Sequence, residues 1–129
     1  MKLLLDTCAL LWLAENSASL STAARQAIVS NPDELFVSAI SAFEIGLKHR
    51  RGRLNLGLDP ETWWQIATAH HGLAVVPISD EIALASTALP LLHADPCDRI
   101  IIATASCIGA RMLTSDSLIM QYPNSDVIW

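Results

Sequence analysis

The chain has 129 residues, 52% of them hydrophobic and 16% charged, with a mean hydropathy of +0.39 and a formal net charge of -5. That composition excludes a disordered chain, and the length suits one domain over residues 1–129 with a substantial core. No stretch free of charge and proline, Ile100 to Ala110 among them, is long enough and apolar enough to cross a bilayer.

Met1-Lys2-Leu3-Leu4-Leu5 has the look of a secretion signal, but Asp6 interrupts it where the apolar stretch would have to continue, so a cytoplasmic protein is expected. Leu3-Leu4-Leu5 reads instead as a short buried strand, with Asp6-Thr7 capping a helix over Cys8 to Ala14. Ser21 opens a helix with Ala24, Ala27 and Ile28 on one face, stopped by Asn31-Pro32. Leu35-Phe36-Val37 is the second strand. Ser41 and Glu44 have the form of a capping box, heading a helix on which Ile40, Phe43 and Leu47 share a face.

Asp59-Pro60-Glu61 opens a helix carrying Trp63 and Trp64, which Gly72 ends. The tryptophan pair fits packing better than base stacking, with one ring facing outward. Leu73 to Val76 is the third strand, and Ser79-Asp80 caps a helix ending near Pro90. Asp95-Pro96 starts the longest buried helix, Cys97 to Ile108, with Gly109 beyond its end; Met112-Leu113-Thr114 is a strand and Val127-Ile128 a last edge strand. Continuous rather than alternating apolar strands, separated by helices, predict an α/β fold with a mostly parallel sheet covered on both faces.

Ligands in such folds bind beyond the carboxyl ends of the strands. Asp6 directly follows the first strand, and Asp116 comes two residues after Thr114. Glu44 and Asp98, each near the start of a helix, can reach the same edge. Four carboxylates converging in a half-buried crevice repel one another unless a cation sits among them, and carboxylate and water ligands suit Mg²⁺ or Mn²⁺ rather than zinc. Each acid also fits a local role. Asp6 suits an N-cap, and Asp98 a helix N-terminal charge with Asp95 as the cap. Glu44 suits the capping box or a pair with Lys48, and Asp116 a turn. Glu44, however, sits at the edge of the buried face, where an unneeded carboxylate is unfavourable.

Other chemistry is weakly represented. Cys8, Cys97 and Cys107 are odd in number and lack C-x-x-C spacing, which argues against disulfides and a zinc ribbon; small buried apolar residues are their expected role. His49, His70, His71 and His93 lack zinc-site spacing. No nucleophile elbow or glycine-rich phosphate loop is present. Of the eight Lys and Arg residues, Lys48, Arg50, Arg51 and Arg53 fall within six positions, making a cationic strip on an otherwise acidic chain.

The segments LLLDTCALLWL (Leu3 to Leu13), VSAISAFEIGLKHRRGRL (Val37 to Leu54), HADPCDRIIIATA (His93 to Ala105) and LTSD (Leu113 to Asp116), with the closing Val127-Ile128-Trp129, resemble the PIN-domain family, more narrowly VapC toxins of bacterial type II toxin-antitoxin pairs. Their order and spacing carry the likeness. The resemblance implies a three-layer αβα sandwich and a metal-dependent endoribonuclease using Mg²⁺ or Mn²⁺, with Asp6, Glu44, Asp98 and Asp116 as the acidic site. Similar proteins often have Arg and Phe where this chain has Ala94 and Cys97, which puts a phosphate contact by that Arg in doubt. Ser115 and Asp95 flank the acids as supporting residues, Ser115 fitting either a water contact or a plain turn.

The strip Lys48, Arg50, Arg51 and Arg53 is expected to contact RNA phosphates, although basic residues at a helix end are also simply favourable there. The implied partners are the RNA substrate, a cognate antitoxin laying a helix in an apolar groove, and a second copy in a homodimer. A catalytically idle antitoxin-binding module is the alternative. An aspartate-based phosphatase fits less well, since Cys8 stands where its second aspartate belongs.

Overall fold

Leu3, Leu4 and Leu5 form the first strand, β1, and all three side chains are fully buried. In the computed structural model, which describes residues 1–123 and 125–129, the strand is followed by helices α1 (Thr7–Ala14) and α2 (Thr22–Ser30), strand β2 (Leu35–Ser38), and helices α3 (Ala39–Arg50) and α4 (Pro60–His70). Then come β3 (Ala74–Val76), α5 (Asp80–Ala88), α6 (Pro96–Ile108), β4 (Arg111–Leu113), α7 (Ser117–Met120) and β5 (Val127–Ile128).

The strands form one sheet in the order β3-β2-β1-β4-β5, and every pairing is parallel. Helical crossovers make this possible, because parallel neighbours need a long connection between them. Successive side chains of a strand point to opposite faces, so β1 feeds two cores. Leu3 and Leu5 pack with Ala9, Leu10, Ala24, Val37 and Ile45 on one face. Leu4 packs with Ile101, Ile102, Ala105, Met112 and Ile119 on the other. The expected α/β sandwich with both sheet faces covered is therefore present.

Local signals fixed most helix ends. The side chains of Asp6, Ser21, Asp59, Ser79 and Asp95 each accept a backbone N–H in the first turn of α1, α2, α4, α5 and α6. Gly109 ends α6 at φ 69, a left-handed position that suits glycine.

Helix α3 departs from its expected start. Ser38, the last residue of β2, is the N-cap and accepts the Ile40 N–H at 3.1 Å, so the helix begins at Ala39, two residues before Ser41. The strand runs straight into the helix, leaving no room for the Ser41–Glu44 capping box. The buried side of α3 is also shifted: Ile40, Ser41 and Ile45 are buried while Phe43 is 56% exposed. At roughly 100° per residue, Glu44 falls within the arc between Ile40 and Ile45, facing the protein rather than its edge.

Two smaller expectations also fail. Cys8 and Cys107 are exposed, so neither is a small buried apolar residue; among the described residues all three cysteines are free. Trp63 and Trp64 are both half-buried against the first core, so neither ring simply faces outward. Among the described residues no helix is long and apolar enough to cross a membrane.

Candidate functional site

The strand order reverses at β1, which has β2 on one side and β4 on the other, and such switch points open a crevice at the carboxyl edge of the sheet. Leu5 pairs with Leu113 in register, so the next residues, Asp6 and Thr114, emerge side by side. Asp6, 7% exposed, accepts the Ala9 N–H at 2.8 Å through Oδ1 and the Thr114 hydroxyl at 2.5 Å through Oδ2. Thr114 Oγ1 accepts the Asp116 N–H at 3.0 Å, so one buried hydroxyl positions two of the acids. Asp116 caps the short helix α7, with Oδ1 accepting the Leu118 N–H at 2.8 Å.

Glu44 enters from α3. Its Oε1 accepts the Thr7 hydroxyl at 2.7 Å, and Thr7 Oγ1 lies 2.9 Å from Ser41 Oγ. Thr7 has one hydroxyl proton, which goes to Glu44, so Ser41 donates to Thr7. The serine expected to cap α3 instead begins a hydroxyl relay that fixes the Glu44 carboxylate.

Asp98 lies in the first turn of α6, whose N-cap is Asp95. Its Oδ2 is 3.0 Å from His93 Nε2, which is also 3.0 Å from Asp116 Oδ2. His93 was not anticipated as a site residue. It opens the segment shared with the resembling family, but no ligand spacing marked it, and it arrives from the loop before α6. Thr7 and Thr114 were missed for the same reason: nothing local distinguishes a buried threonine that orients a carboxylate.

All four predicted acids, with Thr7, Cys8, Lys48, Asp95 and Ser115, line one cleft of about 320 Å³. Asp95 is exposed, and its Oδ1 accepts the Cys97 N–H at 2.9 Å. Ser115 is exposed at the cleft wall. Lys48 sits beside Glu44 in the cleft, but among the described residues the two form no salt bridge.

Burial raises the Asp6 carboxyl above its ordinary range, with Asp116 and Glu44 adding to the effect and the Thr114 and Ala9 hydrogen bonds opposing it. Burial, then the neighbouring charges of Asp95 and Glu44, push Asp98 up to about 7, against the pull of His93. Burial also acts upward on Asp116, but the hydrogen bonds from His93 and Leu118 outweigh it and hold that group low. The ionised cluster is thus short of positive charge, the condition a bound cation relieves.

The donor atoms fit a hard divalent ion. Glu44, Asp95 and Asp98 each offer an oxygen, all within 4.8 Å of one another, and His93, Asp98 and Asp116 do the same with one nitrogen and two oxygens. Asp6 stands outside both sets but lines the same cleft, with one hydrogen bond accepted by each oxygen.

The basic strip divides. Lys48, Arg51 and Arg53 line a second groove of about 210 Å³ with Phe43, Leu47 and Cys97, and this groove shares Glu44, Lys48 and Asp95 with the acidic cleft. Arg50 is exposed at the end of α3 and is not part of that groove's wall.

Comparison with known proteins agrees with this architecture. The PIN domain family model matches residues 3–123. The chain is 35% identical to ribonuclease VapC22 of Mycobacterium tuberculosis, over 98% of this chain and 97% of that protein. Among solved structures it is similar to a chain of DNA-bound VapBC from Salmonella typhimurium, at TM-score 0.71 and 17% identity over 98% of this chain and 96% of that one. A chain of VapBC2 from Rickettsia felis, bound to a DNA fragment from its promoter, gives TM-score 0.73 and 13% identity over 98% and 97% of the two chains. At these identities the two structures establish likeness of fold.

Proposed function

The chain belongs to the PIN-domain family, and from that premise we propose that residues 1–129 act as one domain, a divalent-metal-dependent endoribonuclease that is the toxin of a toxin-antitoxin pair. The observation that carries the reading is the convergence of Asp6, Glu44, Asp98 and Asp116 on one cleft, continuous with a groove bearing Lys48, Arg51 and Arg53. An acidic pocket alone repels a polyanion; one that opens into a basic groove admits it.

Asp6, Asp98, Glu44 and Asp116 would hold Mg²⁺ or Mn²⁺. When bound, the ion supplies charge stabilisation at the scissile phosphate and acidifies water. The chain's own groups do the rest. Asp116 has both carboxylate oxygens engaged, by Leu118 N–H and by His93. Glu44 has only Oε1 engaged, by Thr7, which leaves Oε2 to accept the proton of the attacking water. Lys48 places an ammonium where the phosphate enters, and Arg51 and Arg53 hold the backbone of the departing strand. Arg50, Asp95 and Ser115 take lesser parts, as a more distant phosphate contact and as supports at the cleft wall.

An antitoxin is the second partner, in keeping with the relatives found in VapBC assemblies. The Phe43–Leu47 groove beside the acids gives such a protein an apolar seat next to the carboxylates, where an arginine of the antitoxin would replace the metal's charge. A homodimer is the expected assembly.

The test is cleavage of single-stranded RNA by the purified chain with Mg²⁺ or Mn²⁺, with EDTA, and by Asp98→Asn. Metal-dependent cleavage lost in the variant is the expected result. Cleavage that survives EDTA, or full activity in Asp98→Asn, overturns the site; no cleavage under any condition leaves the idle binding module.

A further inference from the structure

His93 offers a ring nitrogen beside two of the proposed metal ligands, so it is either a ligand itself or the group that sets them. Its hydrogen bonds distinguish the two. Nε2 hydrogen-bonds to Asp116 Oδ2 at 3.0 Å and lies 3.0 Å from Asp98 Oδ2. On the other side of the ring, Nδ1 accepts the backbone N–H of Asp95 at 3.2 Å. An imidazole whose Nδ1 accepts a hydrogen bond carries its proton on Nε2. Coordination through Nε2 would require that proton to move to Nδ1, where it would face the Asp95 N–H, donor against donor.

From this geometry we propose that His93 is a positioning residue that donates Nε2–H between the Asp98 and Asp116 carboxylates and stays outside the metal's ligand set. The proposal rests on the reading that these two carboxylates hold the ion.

The ring is held firmly enough for this task. Its side chain is 11% exposed. The His93 N–H donates to Tyr122 Oη at 2.9 Å, and its carbonyl accepts from Arg99 at 3.3 Å. The Arg99 guanidinium also donates to the carbonyls of Ser86, Leu89 and Pro90, each at 2.9 Å, which ties the loop before α6 to the end of α5. Asp98 and Asp116 come from different elements, and an N–H shared between them offsets the repulsion of two carboxylates at close range. Among the described residues no other side chain bridges the two.

Mn²⁺ binding to the full chain, measured by calorimetry, tests this with His93→Ala and His93→Gln. Removing an outer group that orients metal ligands typically weakens binding about 10- to 100-fold, the loss expected for alanine. Glutamine places an amide N–H near the Nε2 position and is expected to recover most of the affinity. On the wild-type chain, ¹⁵N spectra of the histidine rings should show the Nε2–H tautomer both without metal and with Mg²⁺. Pulsed electron paramagnetic resonance of bound Mn²⁺ should show no directly coordinated imidazole nitrogen.

Loss of the Nε2 proton on adding Mg²⁺, or a coordinated nitrogen that vanishes in His93→Ala, makes His93 a ligand and overturns the proposal. So does wild-type affinity in folded His93→Ala, or equal weakening in both folded variants. Failure of the wild-type chain to bind either ion overturns the metal reading itself and the proposal with it. The two wild-type spectra decide the matter even if the alanine variant does not fold.

Discussion

The Thr114 hydroxyl donates to Asp6 across the end of the sheet, 2.5 Å away, because Leu5 and Leu113 are paired one residue earlier on their strands. The same oxygen accepts the Asp116 N–H, so the register of two core leucines sets the spacing of two acids. Thr114→Val keeps the shape and removes both bonds. We expect a loss of about 1–3 kcal/mol in folding stability from the unpaired groups, read by urea denaturation. Mn²⁺ affinity should fall about tenfold or more by calorimetry. Thr114→Ser, which keeps the hydroxyl, should stay near wild type in both.

Asp98 gives the metal-free protein a pH dependence of definite sign. Its carboxyl titrates at about 7 when folded, and near 3.9 when unfolded. The folded state therefore holds an extra proton between those values; the resulting stability is complete below the unfolded value and is lost as pH rises through about 7. In EDTA the protein should melt at a lower temperature at pH 8 than at pH 5.5. Asp98→Asn should melt higher than wild type at pH 8, with a flatter profile. An unchanged profile in that variant would assign the slope to another group. Mn²⁺ competes with the same proton, so its affinity should increase as pH rises toward 8.

Arg51 and Arg53, rather than Arg50, line the groove leading from the acids. On single strands each neutralised phosphate contributes about 0.7 to the slope of log K against log salt. Replacing Arg51 and Arg53 together by Ala should flatten the slope for RNA by roughly 1.4, leaving Mn²⁺ affinity unchanged. Arg50→Ala should have a smaller effect. Filter binding of a non-cleaved RNA across a salt series measures this, and an unaltered slope in the double variant would show that RNA follows another path.

Arg99 is a buried guanidinium that, among the described residues, makes five hydrogen bonds, four to carbonyls and one to Tyr122 Oη, and no salt bridge to a carboxylate. Arg99→Met should destabilise the fold by roughly 3 kcal/mol or more, because the carbonyls it served are left without donors. Arg99→Lys cannot reproduce the planar fork and should recover only part of the loss. Chemical denaturation gives the magnitude. Faster amide exchange at His93, whose N–H bonds Tyr122, would show that the loop is what loosens.

Much of the architecture was readable from short stretches of chain. An N-cap needs only a side chain and an N–H two or three residues on, so Asp6, Ser21, Asp59, Ser79 and Asp95 announced their helices. Runs such as Leu3-Leu4-Leu5 announced strands buried on both faces, and hence a parallel sheet. From that sheet the edge position of Asp6 and Asp116 followed, and with it the acidic convergence. Helix α7, with four residues, is too short to show a period, and only its cap could have signalled it.

The partners of each acid were decided in three dimensions. Glu44 meets Thr7 across 37 positions, Asp6 meets Thr114 across 108, and His93 meets Asp116 across 23. No local pattern encodes such contacts, since they depend on which strands pair and in what register. The beginning of α3 shows the same division on a small scale: Ser38 and Ser41 are both good caps by residue type. The end of β2 made Ser38 the cap, and the approach of α1 turned Ser41 toward Thr7. Residue type and spacing supplied the acids and the sheet edge; strand register and loop packing supplied the hydroxyls and the imidazole that hold those acids in place.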